Sequence, residues 1–328
     1  MAFHTIFIAT RGSALALAQA NMVLAQCRKI IPEQVFELKI IKTTGDKLQT
    51  ASLAQEGGNL PKGLFTKELE VALLKREADF AVHSLKDLPT ELPDGLKLGA
   101  VGERADVRDV LIYRSRAHEG TRVSRGRGFQ AGLQVKDLPK GAVVATSSTR
   151  RKAQLLTHNP ELQVPDIRGN VLTRIQKLAE KPELDGTVLA LAGLTRLKYT
   201  VTGEGELRGE GIPEGVLATI LETEVMLPCV GQGAVGIELR ADDENAGGIC
   251  ARLNHFSTYQ CVSAERAFLA GMGGGCQSPV AAYAEDRGGN LGMRALSFAN
   301  GPVRRAEASR PLEEAVELGQ QLATELKR

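Results

Sequence analysis

The chain has 328 residues, 43% of them hydrophobic and 24% charged, which supplies apolar material for two or three domains and excludes a disordered polymer. Its 41 basic residues stand against 39 acidic ones, a formal charge of +2. That balance disfavours a protein whose main work is holding a nucleic-acid backbone, so any anion binding must be local.

Phe3–Thr10 is a short β-rich run that stops at Arg11-Gly12-Ser13, and the alanine- and leucine-rich stretch from Ala14 to about Ile30 is predicted as helix. Val35–Thr43 is the next predicted strand, and Leu64–Arg76 an amphipathic helix with Leu69, Ala72 and Leu73 on one face. Ala78–Val82 is a strand running straight into HSLKDLP. Strands alternating with helices predict a parallel or mixed α/β sheet.

A second round follows. Ala142–Thr146 is a strand, Ser147-Ser148-Thr149 ends it, and a helix beginning near Arg150 carries Ala153-Gln154, as the first helix carries Ala18-Gln19. Thr187–Leu191 then runs into AGLTRL much as ADFAV runs into HSLKDLP. Two α/β lobes of similar plan are therefore expected. Between them Arg114–Gly128 holds five arginines and no aromatic residue; a solvated loop is the expectation, and a nucleic-acid patch the alternative.

The last stretch changes character. Ser257–Ala270 is a predicted helix capped by Ser257. Three strands follow, Val280–Ala284, Leu291–Phe298 and Val303–Ala308, separated by turns at Gly288-Gly289-Asn290 and Asn300-Gly301. Leu312–Leu326 is a closing helix, which makes this a small α+β domain.

Three clusters could carry chemistry. Arg11, Ser148, Arg150, Arg151, Arg168, Arg174 and Arg196 lie in or beside strand-to-helix turns of the two lobes. Such turns share one edge of an α/β sheet, and free N–H groups, hydroxyls and guanidinium forks there suit phosphates or several carboxylates. No GxxxxGK[ST] or GxGxxG occurs, which disfavours nucleotides. In HSLKDLP, Ser84, Lys86 and Asp87 follow a buried strand, and Asp87 could stabilise a cation or shuttle a proton; His83 is expected to be a packed structural residue. Leu227–Glu238 (LPCVGQGAVGIE) is expected to be a crossing between lobes, where Gly231 and Gly233 allow close approach and Cys229 packs.

The fourth feature is GMGGGCQSP. Cys276 follows three bare glycines, Gly273-Gly274-Gly275. An incidental thiol in a helix-ending loop, a nucleophile on a mobile arm and a covalent tether for a prosthetic group all fit. Five cysteines without CxxC argue against zinc and for a reducing compartment. The N-terminal MAFHTIFIATRGSALA lacks a basic n-region, and no run reaches membrane-spanning length. The expectation is a cytoplasmic protein, or a mature chain relieved of its address, with no metal.

In order along the chain, ATRGSALALAQA, KTTGDK, KGLFTKELE, DFAVHSLKDLPTELPDGL, ATSSTRRKAQL, IRGNVLTR, LAGLTRL, LPCVGQGAVGIE and ERAFLAGMGGGCQSPVAAYAE resemble the porphobilinogen deaminase (hydroxymethylbilane synthase) family. The resemblance covers nearly the whole chain. It implies two α/β lobes similar to type II periplasmic binding proteins plus a small C-terminal α+β domain. The implied domains are residues 1–103 with 231–252, residues 104–230, and residues 253–328. It implies a transferase that condenses four porphobilinogen molecules head to tail, releasing ammonia each time and then hydroxymethylbilane. The implied cofactor is dipyrromethane, held as a thioether on Cys276. Loss of ammonia leaves an azafulvene cation, and Asp87 matches the family's catalytic aspartate. Arg11, Arg150, Arg151, Arg168, Arg174 and Arg196 match basic cleft positions; Ser13, Lys62, Phe65, Ser84, Lys86, Thr146, Ser148 and Gln232 match cofactor and substrate contacts. A monomer acting on a small molecule, without nucleic acid or membrane, is implied. Two departures stand out: Glu56–Pro61 is longer and less basic than the usual run before Lys62, and Arg114–Lys140 looks like an insertion.

Overall fold

The computed structural model describes residues 4–45, 65–116, 127–275, 278–299 and 301–327. The chain begins with β1 (Ile6–Arg11), α1 (Ala14–Ile30), β2 (Phe36–Ile41), α2 (Lys67–Leu74), β3 (Phe80–Ser84) and β4 (Leu96–Val101). After a crossing through residues 102–108 come β5 (Asp109–Arg114), β6 (Val144–Ala145), α3 (Thr149–His158), α4 (Val171–Glu180), β7 (Gly186–Ala190) and the short α5 (Leu191–Arg196). A two-stranded ribbon, β8 (Thr200–Val201) and β9 (Leu207–Arg208), leads to β10 (Val216–Leu221). The chain crosses back through 222–234 to β11 (Val235–Arg240) and α6 (Glu244–Leu253).

The first sheet has the order β2-β1-β3-β11-β4; β1 is parallel to β2 and β3, and β11 is antiparallel to both its neighbours. The second has the order β10-β5-β7-β6, with β6 parallel to β7 and β5 antiparallel to both neighbours. An isolated parallel bridge, Val143 to Gln163, stands beyond β6 where β2 stands beyond β1. In each sheet the antiparallel strand is the one that has just arrived from the other lobe. The short sequence repeat therefore has a structural counterpart, with β1 matching β6 and β3 matching β7.

The third sheet is an antiparallel meander of β12 (Val280–Asp286), β13 (Asn290–Ser297) and β14 (Arg304–Pro311). Two helices, α7 (Phe256–Gly271) and α8 (Ala315–Lys327), pack on it around Phe268, Met293, Leu318 and Leu322. They meet at Gly319, where a Cβ would lie 2.1 Å from the Ala264 carbonyl oxygen, so only glycine permits the approach.

Several boundaries differ from expectation. The strand expected at Ala78–Val82 is Phe80–Ser84, because pairing of Ile8 with Phe80 and of Val235 with Ser84 sets its register. Ala142–Thr146 narrows to Val144–Ala145, the two residues that pair with Gly186 and Thr187 on β7, while Val143 N–H turns to the Asp185 carboxylate. Ser257 does not cap α7. The helix starts one residue earlier, and His255 Nδ1 accepts the Thr258 N–H. A 3-10 turn, Leu312–Glu314, precedes α8.

The stretch expected as a solvated loop also begins and ends in the fold. Arg114 is the buried last residue of β5, and its guanidinium donates to the carbonyls of Leu178, Lys181 and Pro182 behind α4. Arg127 pairs with Asp185 at 2.8 Å. Phe129 stands edge-on to Tyr113, and Val135 and Leu138 join the same core. The two described portions of Arg114–Lys140 thus help close the second lobe.

Candidate functional site

The strand ends and helix starts of the two lobes face each other. In the first lobe Ser13 caps α1, accepting the Ala16 N–H at 3.3 Å. Arg11, at the end of β1, lies 4.2 Å over the Phe65 ring, a cation–π contact. Ser84, at the end of β3, sits 2.9 Å from Nε2 and 3.0 Å from Oε1 of Gln19, which fixes β3 against α1. A single 3-10 turn, Leu85–Asp87, follows; Leu85 is buried, Lys86 half-buried and Asp87 exposed. Arg11, Ser13, Phe65, Ser84 and Asp87 line one small cavity of about 60 Å³.

His83 is packed as expected, 5% exposed, with Nε2 3.0 Å from Glu238 Oε2 on β11. Glu70 is buried on α2 nearby, and burial raises its carboxyl above the ordinary range.

The second lobe repeats the geometry with other charges. Ser148 caps α3 by accepting the Arg151 N–H, and Thr146 Oγ1 accepts the Ser148 N–H. Asn170 caps α4 by accepting the Thr173 N–H at 2.8 Å. Arg168 is exposed in the turn before it. Arg174, one turn inside, donates Nε–H to the Gly169 carbonyl at 2.8 Å. Burial first, then the neighbouring Arg151 charge, push Arg174 down to about 10, against the pull of Asp87 from the other lobe. Arg196 reaches from α5 to the Gly233 carbonyl at 2.6 Å, and burial lowers its pKa too.

Arg150 and Arg151 turn inward. They are 3% and 6% exposed, and both pair with Asp109, the wholly buried first residue of β5, at 2.8 and 2.7 Å. Burial alone would raise the Asp109 carboxyl; the two guanidinium groups overcome that and hold it well below the usual range. Gln232, expected among the cofactor and substrate contacts, is fully buried, and its Nε2 donates to Val107 O and Asp109 Oδ1, so its amide ties the two crossings together. Cys229 does more than pack, since its thiol donates to Gln232 Oε1 at 3.4 Å.

The crossing behaves as its glycines predict. Gly231 and Gly233 have φ of +71° and +83°. A Cβ on Gly233 would lie 2.5 Å from the Ala105 carbonyl oxygen. Sequence reasoning missed Asp109, Arg104 and Glu265. Arg104 donates to both oxygens of Glu265 at 2.7 and 3.0 Å, and Glu265 also accepts the Gly231 and Ala284 N–H groups. The one sequence signal for Asp109 is the need of two consecutive buried arginines for a counter-charge. Lys62 and Cys276 lie outside the described residues.

The arrangement suits a ligand carrying several carboxylates. Arg196 keeps a buried Nε–H without a partner among the described residues, and Arg174 is a charge held against its own solvation. Among the described residues no group of three or more His, Cys, Asp or Glu could hold a metal ion, and no helix is long and apolar enough to cross a membrane.

The profile described as porphobilinogen deaminase, dipyromethane cofactor binding domain, matches residues 6–247, and the one described as porphobilinogen deaminase, C-terminal domain, matches residues 259–328. Relatives named porphobilinogen deaminase include one from Desulforudis audaxviator, 45% identical over 98% of this chain and 94% of its own length. Those from Geotalea uraniireducens and Desulforamulus reducens are 42% identical over 99% of this chain and 40% identical over 98%, spanning 92% and 94% of their own lengths. Solved structures overlay loosely: a probable amino-acid transporter binding protein from Bacillus subtilis covers 76% of this chain and 90% of its own, with a TM-score of 0.40 and 10% identity. That overlay adds nothing to the sheets described above. With both profiles matched along almost the entire length, and close relatives spanning it, the chain belongs to the porphobilinogen deaminase family.

Proposed function

We propose a division of labour among the residues of this chain within the reaction of its family. That reaction is settled: the chain is a hydroxymethylbilane synthase, polymerising porphobilinogen to hydroxymethylbilane with a dipyrromethane cofactor. The bound cofactor supplies the primer, a nucleophilic pyrrole carbon to which the first substrate is joined.

The residues fit such an acidic group. Porphobilinogen and the cofactor carry acetate and propionate side chains, and the second lobe offers the partnerless buried Nε–H of Arg196 and the under-solvated Arg174. Arg11, Arg168, Arg174 and Arg196, with Ser13, Ser84, Lys86 and Ser148, hold these carboxylates by charge-assisted hydrogen bonds. The N-termini of α1, α3 and α4 add backbone dipoles of the same sign. Arg150 and Arg151 act from behind. Paired to Asp109, they stiffen the start of α3, and Arg151 lends Arg174 part of its electrostatic discomfort, which a bound carboxylate relieves. Lys62 contributes a further cation, Phe65 packs on a pyrrole ring, Thr146 orients Ser148, and Cys276 is the attachment point.

Asp87 is the catalytic carboxylate. It stands exposed at the mouth of the first lobe, opposite Arg174. There it stabilises the positive charge left on substrate nitrogen as ammonia departs, and accepts or returns the proton that each condensation moves. The observation that carries the reading is the exposed carboxylate of Asp87 facing Arg174, a guanidinium held against its own solvation. The test compares adduct-bearing Asp87→Asn and Arg174→Gln with wild type: the first should lower kcat and the second chiefly raise KM for porphobilinogen, and wild-type kcat in Asp87→Asn would overturn the reading.

A further inference from the structure

Asp87 has no hydrogen bond to its carboxylate among the described residues, so its place depends on how its backbone is held. The grip comes from the third domain. Arg266, on α7, donates to three successive carbonyls directly after Asp87: Nη1 to Leu88 at 3.1 Å, and Nη2 to Pro89 at 2.6 Å and Thr90 at 3.3 Å. On the same helix face Tyr259 and Val262 pack with Leu85 and Leu88, which bracket the catalytic turn. The spacing 259, 262, 266 is one stripe of a helix. The bare Cα of Gly231, whose N–H donates to Glu265 on the same helix, also leans on the turn: a Cβ there would lie 3.1 Å from Lys86 N and 3.2 Å from Leu85 C. The helix ends at Gly271, five residues before Cys276 in the sequence.

We infer that Arg266 is a positioning residue for Asp87, so that the domain carrying the attachment cysteine also sets the catalytic carboxylate. A planar guanidinium satisfies three carbonyls that turn around it, whereas a lysine ammonium on a flexible stem holds them less rigidly. Displacement of a catalytic group by about 1 Å can cost about 100-fold in rate, without weakening the contacts that bind substrate carboxylates. The inference rests on the role proposed above for Asp87.

The test compares full-length, cofactor-loaded wild type with Arg266→Met, Arg266→Lys, Asp87→Asn and the Arg266→Met/Asp87→Asn double variant. Intact mass, melting temperature, KM and kcat are read for each. Arg266→Met should keep the bipyrrole adduct and a KM within about twofold, while kcat falls about tenfold or more. Arg266→Lys should recover part of that loss, and Arg266→Met should cost little further in the Asp87→Asn background. A lower melting temperature with unchanged kcat below it, or a full additional loss on top of Asp87→Asn, would overturn the inference. Should Arg266→Met fail to fold, Arg266→Lys carries the test by the same split between kcat and KM. Wild type that makes no hydroxymethylbilane would instead sink the functional reading, not this one alone.

Discussion

The two lobes share a plan and differ in where they put charge. Each has a parallel strand pair, an antiparallel strand received from the other lobe, and a capped helix carrying an Ala-Gln pair. In the first lobe Gln19 grips Ser84 at the end of β3, and the turn beyond leaves one carboxylate, Asp87, in the open. In the second, Gln154 grips the backbone of Leu227 in the return crossing, and two arginines are sunk onto Asp109. One backbone geometry thus produces a mouth that tolerates cations on one side and demands anions on the other. The lesson is that strand-end turns set direction, while the buried counter-charge decides which groups remain available.

That contrast can be broken from either side. Removing the open carboxylate should have the largest effect on turnover: Asp87→Asn keeps the fold and the cofactor adduct but lowers kcat by about 100-fold or more, the range of a lost acid–base group. Steady-state rates on adduct-bearing protein check it.

Removing the buried counter-charge should damage the fold first. Asp109→Asn leaves Arg150 and Arg151 buried without their anion, a loss of about 3–5 kcal/mol by urea unfolding. The sign with pH follows from the depressed carboxyl of Asp109. Its contribution is fully present above about pH 4, the unfolded carboxylate value, and fades as pH falls toward its lower folded value. Wild type should therefore lose stability on acidification more steeply than Asp109→Asn.

The smallest effect belongs to the rim. Arg174→Gln should raise KM about tenfold, the scale of one charge-assisted hydrogen bond, with a lesser change in kcat. Because Arg174 is held at about 10, below the free arginine value, its charge costs the fold something at neutral pH. The same variant removes that cost together with the Nε–H bond to the Gly169 carbonyl, so its melting temperature should change little.

Features with a local cause were legible in the sequence. Helix α1 runs over Ala14–Ile30 as expected, because a serine cap precedes an uninterrupted run of good helix formers. The glycines of 231–233 announced a close crossing, because only a residue without Cβ fits there. The strand before Asp87 was misplaced by two residues, since an apolar run buried on both faces has no period to mark its ends. Asp109 and Arg266 were missed because their partners lie 41 and about 177 residues away, and neither has a local pattern. Gln232 sits beside true turn motifs, yet only the packed crossing shows that its amide is already used.

The most direct test of the whole account is the intact mass of the purified chain beside that of Cys276→Ser. Wild type should exceed the mass of its amino acids by one bipyrrole unit, and the serine variant should match its amino acids and make no hydroxymethylbilane. A wild-type chain with no added mass that still forms product would contradict the account.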